Sequence, residues 1–239
     1  MGETDSVESA IALLSNPDSA INALVTLSSA APQLAGFNFD LEVSSQVNCS
    51  ATERCDTLFA DFLRVVRSGV QRHHGDWRIS ADVDCHAAGA GGYSPIMSNC
   101  TLLATAADAV MDMRTYNGGS LNGWMEEISP ALAVPGDLHR RINIGIGVWN
   151  DTRTEHTWAL TEKSAEERIC LLLNRSVPEV DMFRLKFDSR TGDVVWPYSF
   201  WLPQLERFVN GGGCIPMPIP KSSCPPQGGW MAAEYRVSG

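Results

Sequence analysis

The feature that most constrains the fold is a strand-like segment that recurs along the chain. Such segments begin near residues 37, 77, 108, 141 and 179, and stretches with apolar residues at helical spacing separate them. This alternation predicts a parallel sheet with right-handed crossovers, because the chain must cross back over the sheet to reach the next parallel strand. We therefore expect an α/β fold of the (β/α)8 TIM-barrel type. It is incomplete, since about five of the eight units are present.

Local signals set the limits of several elements. Asn16-Pro17 breaks the first helical stretch, and Ser164-x-x-Glu167 predicts a capping box that opens a later helix. The last strand is predicted to run from Glu179 to Phe187. We expect residues 1–209 to form the barrel-like domain and residues 210–239 to be a Gly/Pro-rich tail.

Polar residues gather at the carboxyl ends of the predicted strands, where barrels of this type hold their active-site groups. In the first strand, Asn38, Asp40 and Glu42 alternate with apolar residues, so the three share one face. Two carboxylates in a partly buried place cannot both ionise freely, so one can act as a general acid. A solvated strand face is the alternative. The later strand ends carry Asp84, His86, Tyr116, Asn117, Trp149 and Asn150.

Arg114 requires a separate explanation. Alternation places Asp112, Arg114 and Tyr116 on one face, which predicts that Arg114 points into the barrel. An unpaired charge is costly there, so Asp82, Asp84 or Asp112 is expected to pair with it. A structural ion pair and a contact with substrate both fit this position.

The charge balance limits the partners. The formal net charge is −10 and the isoelectric point is near 4.9. Nucleic acid and anionic membranes are recognised by clustered Lys and Arg, so neither is expected as a partner. No apolar run is long enough to cross a bilayer. We expect no cofactor and no metal, and we expect a monomer.

Cysteines and glycosylation motifs favour export. The seven cysteines lack the paired C-x-x-C spacing of a zinc site, which leaves disulfides or buried thiols. Four N-x-S/T sequons, at Asn48, Asn99, Asn150 and Asn174, indicate a secreted or lumenal protein. The acidic residues 1–5 are not followed by a signal-peptide apolar segment. We therefore expect that the beginning of the exported protein is missing from this chain.

Residues 35–42 resemble the fourth-strand motif of the glycoside hydrolase family 18 barrels, which include chitinases and chitobiase-like enzymes. That motif reads D-G-x-D-x-D-x-E, and the segment A-G-F-N-F-D-L-E keeps its Gly, last Asp and Glu. Ala35 and Asn38 depart from it. Residues 114–117, R-T-Y-N, keep the Tyr of the sixth-strand M-x-Y-D, and residues 145–150 loosely resemble the seventh-strand motif. The resemblance spans strands four to eight, without the family's third-strand S-x-G-G segment or its eighth-strand Trp.

The resemblance implies hydrolysis of β-linked N-acetylglucosamine, in chitin or chito-oligosaccharides, by a substrate-assisted retaining mechanism. Glu42 is then the acid that protonates the glycosidic oxygen, and the acetamide of the sugar attacks the anomeric carbon. Asp40 orients that acetamide, and Tyr116 donates a hydrogen bond to its oxygen. The candidate substrate-binding residues are Asn38, Asp84, Arg114, Asn117 and Trp149.

Two other functions fit the sequence. A non-catalytic, lectin-like sugar-binding barrel is favoured by the missing eighth-strand Trp and by Ala35, Asn38 and Asn117, which replace motif carboxylates. A truncated chain without activity is the other alternative, because a barrel that lacks three strands has open sheet edges. The substrate linkage and the disulfide pairing are not determined by the sequence.

Overall fold

The computed structural model describes residues 7–41, 55–85, 98–113, 120–148, 161–183, 186–187, 190–191, 194–195, 199–212 and 214. The helices are α1 (Val7–Leu14), α2 (Pro17–Ala30), α3 (Cys55–Gln71), α4 (Cys100–Ala106), α5 (Leu121–Leu132), α6 (Glu162–Asn174) and α7 (Trp201–Val209). The strands are β1 (Gly36–Phe39), β2 (Arg78–Val83), β3 (Ala109–Asp112), β4 (Ile142–Gly147), β5 (Val180–Phe183), β6 (Lys186–Phe187) and β7 (Val194–Val195).

Strands β1 to β5 form one parallel sheet in which the spatial order equals the chain order. The register pairs Asn38 with Ser80, and Val110 with Ile142. Helices α3, α4, α5 and α6 follow β1 to β4 in turn, so each neighbouring pair of strands is joined through a helix. The result is a curled half-barrel, which confirms the predicted partial TIM-barrel fold and its five strands.

The two faces of the sheet have different chemistry. Toward the helices, β2 and β4 bury apolar side chains such as Ile79, Val83 and Ile144, each fully removed from solvent. The predicted apolar stripe of α3 is buried as well, at Phe59, Phe62, Leu63, Val66 and Val70. Phe62 makes an edge contact with Phe39 of β1, with ring centroids 5.2 Å apart. The core therefore lies between the sheet and its helices, while the other, concave face carries polar residues.

Helix starts follow the capping residues in the sequence. Asn16, Asn99 and Ser120 each accept a hydrogen bond from a first-turn N–H through their side chains, at the starts of α2, α4 and α5. The capping box predicted for α6 was placed one turn too late. Thr161 is its N-cap and Ser164 the third helical residue, and each side chain caps the backbone N–H of the other.

One side chain between α5 and α6 is charged and almost completely buried. Arg168 of α6 is 3% exposed, and its guanidinium carbon lies 5.4 Å from the ring centroid of Trp124 on α5. The resulting cation–π contact replaces part of the lost hydration. Burial still lowers the pKa of Arg168, against the opposite effect of Glu167.

The predicted last strand was too long. β5 ends at Phe183, and residues 186–187 pair with residues 194–195 in an antiparallel two-stranded sheet. The predicted helix break at Asn16-Pro17 is confirmed, since α1 ends at Leu14 and α2 begins at Pro17.

Two disulfides cross-link the described residues. Cys85 pairs with Cys100, with Cα atoms 5.5 Å apart, and Cys170 pairs with Cys214, with Cα atoms 5.3 Å apart. The first ties the end of β2 to the start of α4, and the second fastens the segment after α7 to α6. None of the helices among the described residues is long and apolar enough to span a membrane.

Candidate active site

Acidic side chains lie at the carboxyl ends of three adjacent strands. Asp40 follows β1, Asp84 follows β2 and Asp112 ends β3. Asp84 is 9% exposed and Asp112 is 0% exposed, and Oδ1 of Asp40 is a buried atom. Because the three strands are parallel neighbours, these residues occupy one edge of the sheet, where open α/β sheets bind their ligands.

The backbone at this edge is fixed by several contacts. The N–H of Cys85 donates to Oδ1 of Asp112 at 3.2 Å, and the N–H of Met113 donates to the Val83 carbonyl at 2.9 Å. The Cys85–Cys100 disulfide adds a covalent link to α4. The end of β2 and the end of β3 are therefore held together beside Asp84.

The polar residues of β1 and β2 meet on the concave face. Ser80 donates a hydrogen bond from Oγ to Oδ1 of Asn38 at 2.8 Å, across the two paired strands. Phe39 and Leu41 are buried on the opposite face, at 7% and 3% exposure. Alternation then places Asp40 on the same face as Asn38, as predicted.

A cavity of about 510 Å³ occupies the concave face, lined by residues of all five strands or of their flanks. Glu179, just before β5, is one of its lining residues. Its Oε1 accepts from Nη1 of Arg78 at 2.8 Å, and its Oε2 accepts from Nδ2 of Asn143 at 2.6 Å. The hydrogen bond with Glu179 raises the pKa of Arg78, against the opposite effect of partial burial. The other polar lining residues are Asn38, Ser80, Asp82 and Asp181.

The structure describes three of the eight predicted site residues, namely Asn38, Asp40 and Asp84. Asn38 lines the concave cavity, and the burial of Phe39 and Leu41 on the other face places Asp40 on the same side as Asn38. Asp84 follows β2 at the same edge of the sheet as Asp40, and neither carboxylate is among the residues that line the cavity. Glu42, Arg114, Tyr116, Asn117 and Trp149 lie outside the described residues, so their site roles remain predictions.

The predicted face of Asp112 was wrong. Ala109 and Met111 line the concave cavity, so Val110 and Asp112 point to the helix side, where both are fully buried. Asp112 therefore holds the backbone of Cys85 instead of lying inside the barrel.

Three residues of the concave face were not predicted from the sequence, namely Ser80, Arg78 and Glu179. A signal for the first two existed, since residues 78–84 read R-I-S-A-D-V-D and alternate in polarity as β1 does. Glu179 had no such signal, because its partner Arg78 is 101 residues away in sequence. Across the described stretches there is no group of three potential metal ligands.

Comparison with known proteins gives matches among solved structures only: no family model and no curated protein sequence matches the chain. A chitinase from Chromobacterium violaceum superposes with a TM-score of 0.61 at 14% identity, covering 85% of this chain and 75% of that one. A class V chitinase from Pseudomonas fluorescens gives a TM-score of 0.56 at 11% identity, covering 81% and 72%.

The second catalytic domain of the Ostrinia furnacalis Group II chitinase gives a TM-score of 0.56 at 13% identity, covering 92% of this chain and 78% of that one. Identities this low establish a common fold and nothing finer. The predicted resemblance to the family 18 chitinases is therefore confirmed at the level of the fold: the described chain is a partial barrel of the chitinase type.

Proposed function

We propose that the chain is a glycoside hydrolase that cleaves β-linked N-acetylglucosamine, in chitin or chito-oligosaccharides, with retention of configuration. The observation that carries the proposal is the position of Asp40. It follows a strand at the carboxyl edge of a chitinase-type sheet, with its Oδ1 buried and Asn38 on the same face. Catalytic-site mutants of active domain 2 of a thermostable chitinase from Pyrococcus furiosus, 13% identical with a TM-score of 0.53, have been crystallised in complex with chito-oligosaccharides.

In the proposed reaction, Glu42 donates its proton to the glycosidic oxygen as the bond to the anomeric carbon breaks. The acetamide oxygen of the sugar attacks that carbon and forms a cyclic oxazolinium ion, oriented by Asp40 and hydrogen-bonded by Tyr116. Water then opens the ring and returns a proton to Glu42. No nucleophile from the protein is needed, which distinguishes this scheme from the two-carboxylate one.

Asn38 supports Asp40 as a neutral neighbour. The hydroxyl of Ser80 donates to its Oδ1, so the carboxamide is held in one orientation on the concave face. Two carboxylates that are two residues apart on one face of a strand repel each other, and the neutral amide of Asn38 removes that repulsion from Asp40. Under the proposal, Asp40 works without a second acid behind it.

The experiment is Glu42→Gln, assayed with a chromogenic chitobioside. General acid catalysis contributes about a hundredfold to ten-thousandfold, and we expect kcat to fall by that factor. Glu126→Gln is the matched control, because it replaces the same carboxylate by the same amide at an exposed position on α5, outside β1. A chromogenic cellobioside, which has no acetamide, should not be cleaved. Unchanged turnover by Glu42→Gln would refute the proposal.

The second candidate function is carbohydrate binding without catalysis, and Asn38 is the observation that favours it. An amide that is fixed by Ser80 stands where the family motif has a carboxylate. Titration calorimetry with chito-oligosaccharides distinguishes the two functions. Binding without any release of reducing ends by the unmodified protein would favour the binding protein over the enzyme.

A further inference from the structure

Two of the glycosylation motifs fall within the described residues, and their surroundings differ. Asn174 is the last residue of α6, and Asn174, Arg175 and Ser176 are all exposed. The chain leaves the helix here with a left-handed residue, Ser176, whose φ is 54°. We propose that Asn174 carries an N-linked glycan and that Asn99 does not.

The motif at Asn99 is built into the folded domain. Oδ1 of Asn99 accepts from the N–H of Leu102 at 3.0 Å and so caps α4. The middle residue of the motif, Cys100, is 5% exposed and is bonded to Cys85. To present this motif as an extended acceptor, the chain would have to unwind the first turn of α4 and withdraw Cys100 from the core.

The two motifs also lie on opposite ends of the sheet. The N-terminus of α4 follows β2 and therefore lies on the carboxyl side, near Asp84, whereas the C-terminus of α6 precedes β5 and lies on the amino side. A glycan is bulky and strongly hydrated. At Asn174 it leaves the candidate active site open, whereas at Asn99 it would stand at its rim.

The modification is a transfer from a lipid-linked oligosaccharide pyrophosphate. The bond between the anomeric carbon and the pyrophosphate oxygen breaks, the carbon bonds to Nδ2 of Asn174, and one amide proton leaves. The transferase works in the secretory pathway, where the two disulfides among the described residues can also form. The same compartment therefore accounts for both features.

The test is expression of the full chain behind a eukaryotic secretory leader, followed by peptide mapping after amidase removal of N-glycans, which converts each glycosylated Asn to Asp. We expect complete conversion at Asn174 and none at Asn99. On denaturing gels, the apparent mass of Asn174→Gln should be lower than that of the unmodified sequence by one glycan. The apparent mass of the matched control, Asn99→Gln, should be unchanged.

Mapping on the unmodified chain keeps the test independent of whether either variant folds. Glycans at the other two motifs, Asn48 and Asn150, appear as separate peptides and do not interfere. An unconverted Asn174, or equal conversion at Asn174 and Asn99, would overturn the proposal.

Discussion

Gly36 is the position where one added methyl group should most disturb the strand that carries Asn38 and Asp40. A Cβ built there lies 2.1 Å from the carbonyl oxygen of Arg78 and 2.9 Å from its carbonyl carbon. These are backbone atoms of β2, so no side-chain rotation relieves the overlap. In Gly36→Ala, β1 must therefore move away from β2 until that contact reaches at least 3.0 Å.

The cost follows from the contacts at this point. Moving β1 breaks the hydrogen bond from the Arg78 N–H to the Ala35 carbonyl, 3.0 Å long, and weakens the next one along the pair. Two backbone hydrogen bonds contribute about 2 kcal/mol, and overpacking adds about 1–3 kcal/mol. The lower entropy of alanine in the unfolded chain offsets less than about 1 kcal/mol. We expect a net destabilisation of about 3 kcal/mol by these terms.

Urea unfolding followed by tryptophan fluorescence measures the effect as a lower midpoint with an unchanged slope. Gly75→Ala is the matched control, because the nearest atom to its new Cβ is the Gln71 carbonyl oxygen at 3.9 Å, an ordinary contact. It should change stability by less than about 1 kcal/mol. An unchanged midpoint for Gly36→Ala would refute the close approach of β1 and β2.

Two further predictions concern stability. Asp108→Ala should lower the free energy of unfolding in urea by about 2–3 kcal/mol, because Oδ2 of Asp108 accepts from the Ile79 N–H and from Gln71 while Oδ1 pairs with Arg67. Asp61 is exposed and pairs only with Arg64 in the next turn among the described contacts, so Asp61→Ala should cost less than about 0.5 kcal/mol. Equal costs for the two variants would contradict the network around Asp108. Replacing both Cys85 and Cys100 with Ala opens a loop of sequence separation 15 and should cost about 3 kcal/mol, read as a lower thermal midpoint. Dithiothreitol should therefore lower the thermal midpoint of the unmodified protein more than that of the double variant. Equal decreases would mean that the Cys85–Cys100 disulfide contributes nothing to stability.

The sequence was sufficient to place the five strands, because recurrence and apolar periodicity depend only on local patterns. It also identified the correct face of β1, where Asn38 and Asp40 alternate with Phe39 and Leu41 and the polarity contrast is strong. Burial of the apolar set against α3 then fixes the polar set on the concave side. Alternation therefore predicts the face of a residue reliably where one face of the strand is polar and the other is apolar.

The same rule failed on β3 because that strand has no such contrast. Ala109, Val110 and Met111 are all apolar, so the sequence does not say which face Asp112 shares. Its partner is the N–H of Cys85, in the segment after β2, a contact that depends on the neighbouring strand and not on β3 itself. The start of α6 was misplaced for a related reason, since Thr161 and Ser164 both fit an N-cap position.

The chemistry of the concave face bears on both candidate functions. Barrel interiors of this type are usually filled by bulky branched side chains. Here the corresponding positions include Asn38, Ser80 and Asn143, and the Arg78–Glu179 pair is about half exposed, with side chains at 55% and 46%. Burying polar groups without hydrogen-bond partners costs free energy, so hydrogen bonds among these groups and their exposure to solvent stabilise this face. The cavity presents these donors and acceptors beside the apolar side chains of Phe37, Ala109 and Met111, so it can hydrogen-bond a polyhydroxylated ligand, as both candidate functions require.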